Sequence, residues 1–103
     1  MITNYLDALP EAWADTASVF EALGAPIRQR ILLLFEPGEE LTIKEISDLF
    51  DVSRTTINFH LKVLEDAGLL TRRRLGREAL YRLERSVLLD SLQRVLTYAR
   101  GEC

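Results

Sequence analysis

Thr42 and Ser53 each begin a helix-starting pattern, and only Asp51 and Val52 separate the two helices those patterns imply. Thr42 is followed three residues later by Glu45, the reciprocal capping box, which predicts a helix from Ile43 to about Phe50 with Ile46 and Leu49 facing inward. Ser53 is a strong N-cap for a second helix reaching about Ala67, where Gly68 stops it. Two helices across so short a break must turn sharply on one another, which narrows the choice of fold more than any other feature of the chain.

What flanks this pair narrows it further. Leu69–Arg74 and Ala79–Leu83 read as strands joined through "LGRE", where Gly76 supplies the backbone freedom of a tight hairpin. Such a hairpin is barely stable alone and must pack on the helices. Before the pair, Trp13, Ala17, Phe20 and Leu23 recur at helical spacing within Glu11–Leu23. Gly24 ends that helix, and Pro26 opens another with the stripe Ile27, Ile31 and Leu34, ending before "EPGEE". A last helix over Val87–Ala99 carries Leu88, Leu92, Val95, Leu96 and Ala99, and a short strand is expected near Leu41. The expectation is a single domain over 1–103, mainly alpha with a small beta hairpin, in the order helix-helix-helix-helix-hairpin-helix. That is winged helix-turn-helix architecture.

The totals suit this reading. At 103 residues the chain has the size of one domain, and 48% hydrophobic content supports a folded core. The lone Cys103 forms no internal disulfide, and no apolar run is long enough to span a bilayer, so a soluble, cytoplasmic protein with no membrane partner is expected. Net charge is -3, yet the average conceals a split: residues 1–53 hold three basic and ten acidic side chains, and residues 54–103 hold ten basic and six acidic. Attraction to a polyanion depends on the local field, so the basic half keeps nucleic acid among the partners.

On the Ser53 helix, Ile57, Leu61 and Leu64 share one side and should face the core. Thr55, Asn58, Phe59 and Lys62 gather opposite, with Arg54 near the start. A hydroxyl, an amide, an aromatic ring and a cation can read base edges, touch thymine methyls and neutralise phosphate. Phe59 has three readings: cover for another element of the same chain, a protein–protein contact, or a contact in the DNA groove. His60, at the boundary of the two sides, reads first as a half-buried histidine hydrogen-bonded within the domain. It has neither the converging ligands a metal needs nor a positioned partner for catalysis, and no glycine-rich phosphate loop is present. No enzyme, cofactor or metal site is expected.

The hairpin adds an independent signal. Arg72, Arg73, Arg74 and Arg77 crowd its tip and Arg82 lies on the returning strand, with Arg72 and Arg74 on one face and Arg73 on the other. Like charges this close repel, and Glu78 alone cannot offset them, so a DNA duplex is expected to supply the counter-charge.

At this point the sequence resembles the ArsR family of bacterial winged-helix repressors. The resemblance runs from "FEALGAPIRQRILLLF" through "HLKVLEDAGLL" and the basic "GRE" wing, about Val19 to Leu83, and the last helix falls where the family has one. It implies a homodimer on a near-palindromic double-stranded operator, with Ser53 to Asp66 as recognition helix and Arg72 to Arg82 as wing. Arg54, Thr55, Thr56, Asn58, Phe59 and Lys62 occupy the family's DNA-contacting positions. With Ser53, Arg72, Arg74 and Arg77 they make up the expected DNA-binding set. His60 falls on a histidine common in that helix, where it braces the domain. Trp13, Ala17, Phe20, Leu88, Leu92, Val95, Leu96 and Ala99 would lie in the dimer interface formed by the terminal helices, a closed two-fold burial of spare apolar surface. Where the family's metal sensors carry a cysteine pair, this chain has Thr42 and Lys44, so soft-metal sensing lacks its ligands. The alternative function is a protein-interaction module on the same scaffold.

Overall fold

The computed structural model describes residues 8–102. The start of the Met1–Pro10 lead-in and Cys103 lie outside them. Five helices and three strands follow in chain order: α1 (Glu11–Leu23), α2 (Pro26–Leu32), β1 (Glu40–Thr42), α3 (Ile43–Ser47), α4 (Arg54–Asp66), β2 (Leu70–Leu75), β3 (Glu78–Leu83) and α5 (Arg85–Ala99). This is the winged helix-turn-helix order read from the sequence.

The helix starts are set by local chemistry. The Thr42 side chain accepts from the Glu45 backbone N–H at 3.1 Å, while the Glu45 carboxylate accepts from the Thr42 N–H at 2.9 Å, so the capping box is complete. Ser53 Oγ accepts from the Thr56 N–H at 3.1 Å at the head of α4. Pro26 occupies the first turn of α2, where its missing N–H costs nothing.

One helix end departs from expectation. The helix predicted to reach Phe50 closes at Ser47, because the next turns tighten: Leu49 N–H donates to Ile46 O and Phe50 N–H to Ser47 O, both three residues back. The tighter winding swings Leu49 outward to 64% exposure, correcting its inward assignment. Phe50 is half-buried instead, with the Arg30 guanidinium 4.9 Å above its ring.

The hairpin is also better supported than expected. Leu75 pairs with Glu78, leaving Gly76 and Arg77 as a two-residue turn; Gly76 has φ 63° and no non-glycine residue among those described has positive φ. Positive φ at the first central position only is the type II′ pattern, whose twist matches the strands. β1 then pairs with β3 along Glu40–Thr42, giving a three-stranded antiparallel sheet in the order β1-β3-β2. The wing is thus one edge of a small sheet, not a lone hairpin.

The core sits where α4 crosses the other elements. Ile57, Leu61 and Leu64 of α4 are fully buried, with Ile31, Ile46, Val19, Leu69, Leu70 and Tyr81 around them. Each such side chain contributes about 1.5–3 kcal/mol of transfer free energy. α1 and α5 close one end: Arg94 Nη1 donates to the buried Thr16 Oγ1 at 2.9 Å, and Trp13 meets Tyr98 edge-to-face at 5.7 Å. Trp13 therefore packs within the subunit. Ala17, Phe20, Leu92, Leu96 and Ala99 remain exposed, and Leu88 and Val95 are half-buried.

Candidate nucleic-acid interface

Because α4 buries Ile57, Leu61 and Leu64, the helical repeat forces Thr55, Asn58, Phe59 and Lys62 to the opposite side, and all four are exposed. Phe59 is 60% exposed, so it does not serve as cover for another element of the chain. Lys62 lies 3.3 Å from Asp66 one turn on, a surface pair that yields readily to a stronger anion. Ser53 and Thr56 are placed differently. Their hydroxyls bond each other at 3.0 Å, and Ser53 is the cap, so both work first in forming the end of α4.

The sheet divides the arginines. Register puts Arg72 and Arg74 on the face with Tyr81 and Ala79, toward the helices, and Arg73 on the opposite face with Leu80. On that outer face Arg73 makes a two-pronged contact with Glu40 of β1, Nε at 2.6 Å and Nη2 at 2.8 Å. Hydrogen bonding from Arg73 holds the Glu40 carboxyl below its ordinary pKa, and Glu40 raises that of Arg73 in return. Arg82 bonds Glu84 through Nε and Nη2 at 3.2 and 3.0 Å. Glu84 also accepts from Thr71 Oγ1 at 2.6 Å; that bond first, then Arg82, lowers its pKa. On the helix side Arg72 approaches Glu65 of α4 at 3.4 Å.

The expectation that Glu78 stands alone against five arginines is therefore corrected. Glu40 of β1, Glu65 of α4 and Glu84 just after β3 balance three of them. Among the described residues Arg54, Arg74 and Arg77 have no carboxylate at ion-pair distance. These three line a cleft of about 350 Å³ between the start of α3, the start of α4 and the turn of the wing. Lys44, Thr42 and Glu78 share its walls, and the Lys44 ammonium rests 2.7 Å from Asp48. Four cations and one carboxylate around a solvent-open cleft next to α4 form a seat for an anion. Sequence alone does not mark Lys44 as a binding residue; its place at the start of α3, facing the wing, emerges only when the sheet is assembled.

His60 is half-buried on the flank of α4. Arg28 Nη1 donates to its Nδ1 at 3.1 Å. A guanidinium only donates, so Nδ1 accepts and the ring proton sits on Nε2. Burial first, and the Arg28 charge second, hold the ring below its ordinary pKa, in the neutral form. The bond matches the reading of a histidine satisfied within the domain. Among the described residues no group of three or more His, Cys, Asp or Glu side chains is placed to hold a metal, and no helix is long and apolar enough to cross a membrane.

Known proteins share this arrangement. A helix-turn-helix domain model matches residues 23–73, from the end of α1 into the wing. The transcriptional repressor SdpR of Bacillus subtilis is 33% identical over 81 residues, covering 79% of this chain and 89% of its own. An ArsR-like transcriptional regulator from Rhodococcus sp. RHA1 superposes with a TM-score of 0.80 at 27% identity, covering 89% of this chain and 86% of its own. The homodimeric winged helix-turn-helix DNA-binding domain of a possible ArsR-family regulator from Mycobacterium bovis superposes with a TM-score of 0.70 at 26% identity, covering 94% and 88%. Likeness of sequence through the helix-turn-helix, likeness of fold from α1 to α5 and the basic cleft beside α4 converge: the chain belongs to the ArsR family of DNA-binding, non-enzymatic transcriptional regulators, with no cysteine metal site among the described residues.

Proposed function

We propose that this protein is a homodimeric repressor that binds a near-palindromic operator in double-stranded DNA, with α4 in the major groove and the β2–β3 wing against the neighbouring minor groove. The observation that carries this reading is the contiguity of two surfaces. Thr55, Asn58, Phe59 and Lys62 offer base-reading chemistry, and beside them the cleft arginines Arg54, Arg74 and Arg77 have, among the described residues, no carboxylate at ion-pair distance. Arg77, second residue of the turn, reaches furthest along the duplex, while Ser53 and Thr56 present the capped end of α4 to the backbone. Arg72, held loosely by Glu65, joins them when phosphate competes.

The dimer rests on α1 and α5. Phe20, Leu92 and Leu96 are exposed apolar side chains on helices that pack together, and a two-fold axis would bury them with Ala17, Leu88, Val95, Ala99 and the edge of Trp13. The homodimeric state of the Mycobacterium bovis domain supports the same assembly. Two recognition helices would then stand about 34–36 Å apart, one turn of duplex.

The test is selection of duplexes from a random pool by the purified chain, with its mass in solution measured alongside. A recovered motif with two-fold symmetry and a dimer mass are expected. A chain that recovers no motif, and whose binding to duplex is insensitive to salt, is instead a protein-interaction module.

A further inference from the structure

Arg28 makes three hydrogen bonds in different directions. Nε donates to Ala22 O at 2.6 Å and Nη2 to Glu21 O at 3.3 Å, both carbonyls at the C-terminal end of α1. Ala22 O lies in the last turn, where helical N–H donors run out, and Glu21 O, which already accepts from Gly24 N–H at 3.1 Å, takes Nη2 as a second donor, so the two grip the guanidinium from behind. The remaining nitrogen, Nη1, meets His60 Nδ1 at 3.1 Å. His60 in turn packs edge-to-face on Phe59, ring centroids 5.2 Å apart and planes at 68°. A chain of contacts thus runs from the end of α1, through Arg28 of α2, to an aromatic ring on the outward face of α4.

We propose that Arg28 is a positioning residue for DNA recognition: by orienting the His60 ring it sets the position of Phe59 on α4, and so sharpens sequence preference without touching DNA. The proposal rests on the reading of α4 as the recognition helix. A planar guanidinium pinned at two corners leaves its third N–H one direction only, and that direction selects a single orientation of the imidazole. An exposed ring such as Phe59 discriminates between bases only if its place is fixed beforehand, because ordering it on binding would cost part of what the contact contributes. Arg28 is the charge that bears on His60, and α1 brings its backbone carbonyls to the same guanidinium. The tie needs neutral imidazole. Protonation removes the acceptor at Nδ1 and sets a cation against Arg28. Because the ring's pKa in the folded chain lies below the ordinary histidine value, the tie is intact above about pH 6.5 and weakens as pH falls through the lowered value.

Binding of the selected duplex and of a scrambled one by the full chain separates the outcomes. Arg28→Met is expected to lower affinity for the selected duplex about tenfold, in line with losing a charge-assisted hydrogen bond, and to leave the scrambled duplex within about twofold. Because Arg28 also grips α1, His60→Leu, which removes the acceptor alone, is the second variant and should show the same split. His60→Asn places an amide oxygen where Nδ1 stands and does not titrate. It should recover most of the preference and abolish the decline expected of the wild-type chain as pH falls below about 6.5. The chain has a single histidine, so its imidazole resonances are unambiguous: they should report the Nε2–H tautomer, with the pKa moving up toward the ordinary value in Arg28→Met. Equal losses on both duplexes, or a His60→Asn variant as pH-sensitive as wild type, would overturn the proposal while leaving the recognition helix in place. A wild-type chain with no preference among duplexes sinks the reading of α4, and this proposal with it.

Discussion

The two sides of the small sheet carry the same residue type and use it differently. On the outer face, Arg73 and Arg82 are held by Glu40 and Glu84 at hydrogen-bond distance. On the inner side, beyond the core, Arg74 and Arg77 open with Arg54 onto a cleft that holds Glu78 as its one carboxylate. A guanidinium already bonded to a carboxylate gives up that contact before it meets phosphate, so it adds little net attraction; one facing solvent releases counterions with nothing to give back. The density of arginine in a wing therefore overstates its grip on DNA. What counts is which arginines the fold leaves without a partner.

The largest effect should come from the cleft. Arg74→Ala with Arg77→Ala is expected to weaken binding to selected and scrambled duplexes alike, by about a hundredfold at moderate salt. The slope of log affinity against log salt should fall by close to two, one phosphate for each arginine. A double variant that keeps the wild-type slope would place the phosphate contacts elsewhere. Asn58→Ala should cost less and differently: about 1–3 kcal/mol against the selected duplex, a relaxed preference at one base pair, and little change on the scrambled one. A uniform loss there would remove the distinction between the reading face and the gripping cleft.

How much of this was legible beforehand follows the range of the interactions. The capping box of Thr42 and Glu45, the cap at Ser53 and the glycine of the wing act within a few residues, and sequence alone located them. The α4 sides were equally plain, since 3.6-residue periodicity assigns Ile57 and Asn58 to opposite faces. The end of α3 was not, because periodicity continues through Leu49 while packing favours Phe50 beneath Arg30. The partner of Arg73 lies 33 residues away and meets it only through the β1–β3 register, so local charge counting around Glu78 missed it. Arg28 escaped notice for the same reason, its contact with His60 spanning 32 residues.

The outer face supplies the smaller tests. Arg73→Ala should leave affinity for any duplex within about twofold, because the side chain was never free to contribute a full phosphate contact. Its cost falls on β1, which loses a two-pronged tie to the wing, and a modest fall in Tm is expected. Glu40→Gln reverses the sign. It weakens the hold on Arg73 and removes a negative charge from the wing, so non-specific affinity should rise by about twofold at low salt and return to wild type as salt is raised. Acid should act in the same direction on this pair. The Glu40 carboxyl is held below its ordinary value, so its contribution to stability is complete above the ordinary glutamate range and is lost as pH falls through the lowered one. At about pH 7 the pair is intact, and titrating wild type and Glu40→Gln side by side with salt isolates its effect. If the Gln variant binds no better than wild type, Arg73 is not restrained by Glu40 in solution, and the contrast between the two faces of the sheet loses its electrostatic basis.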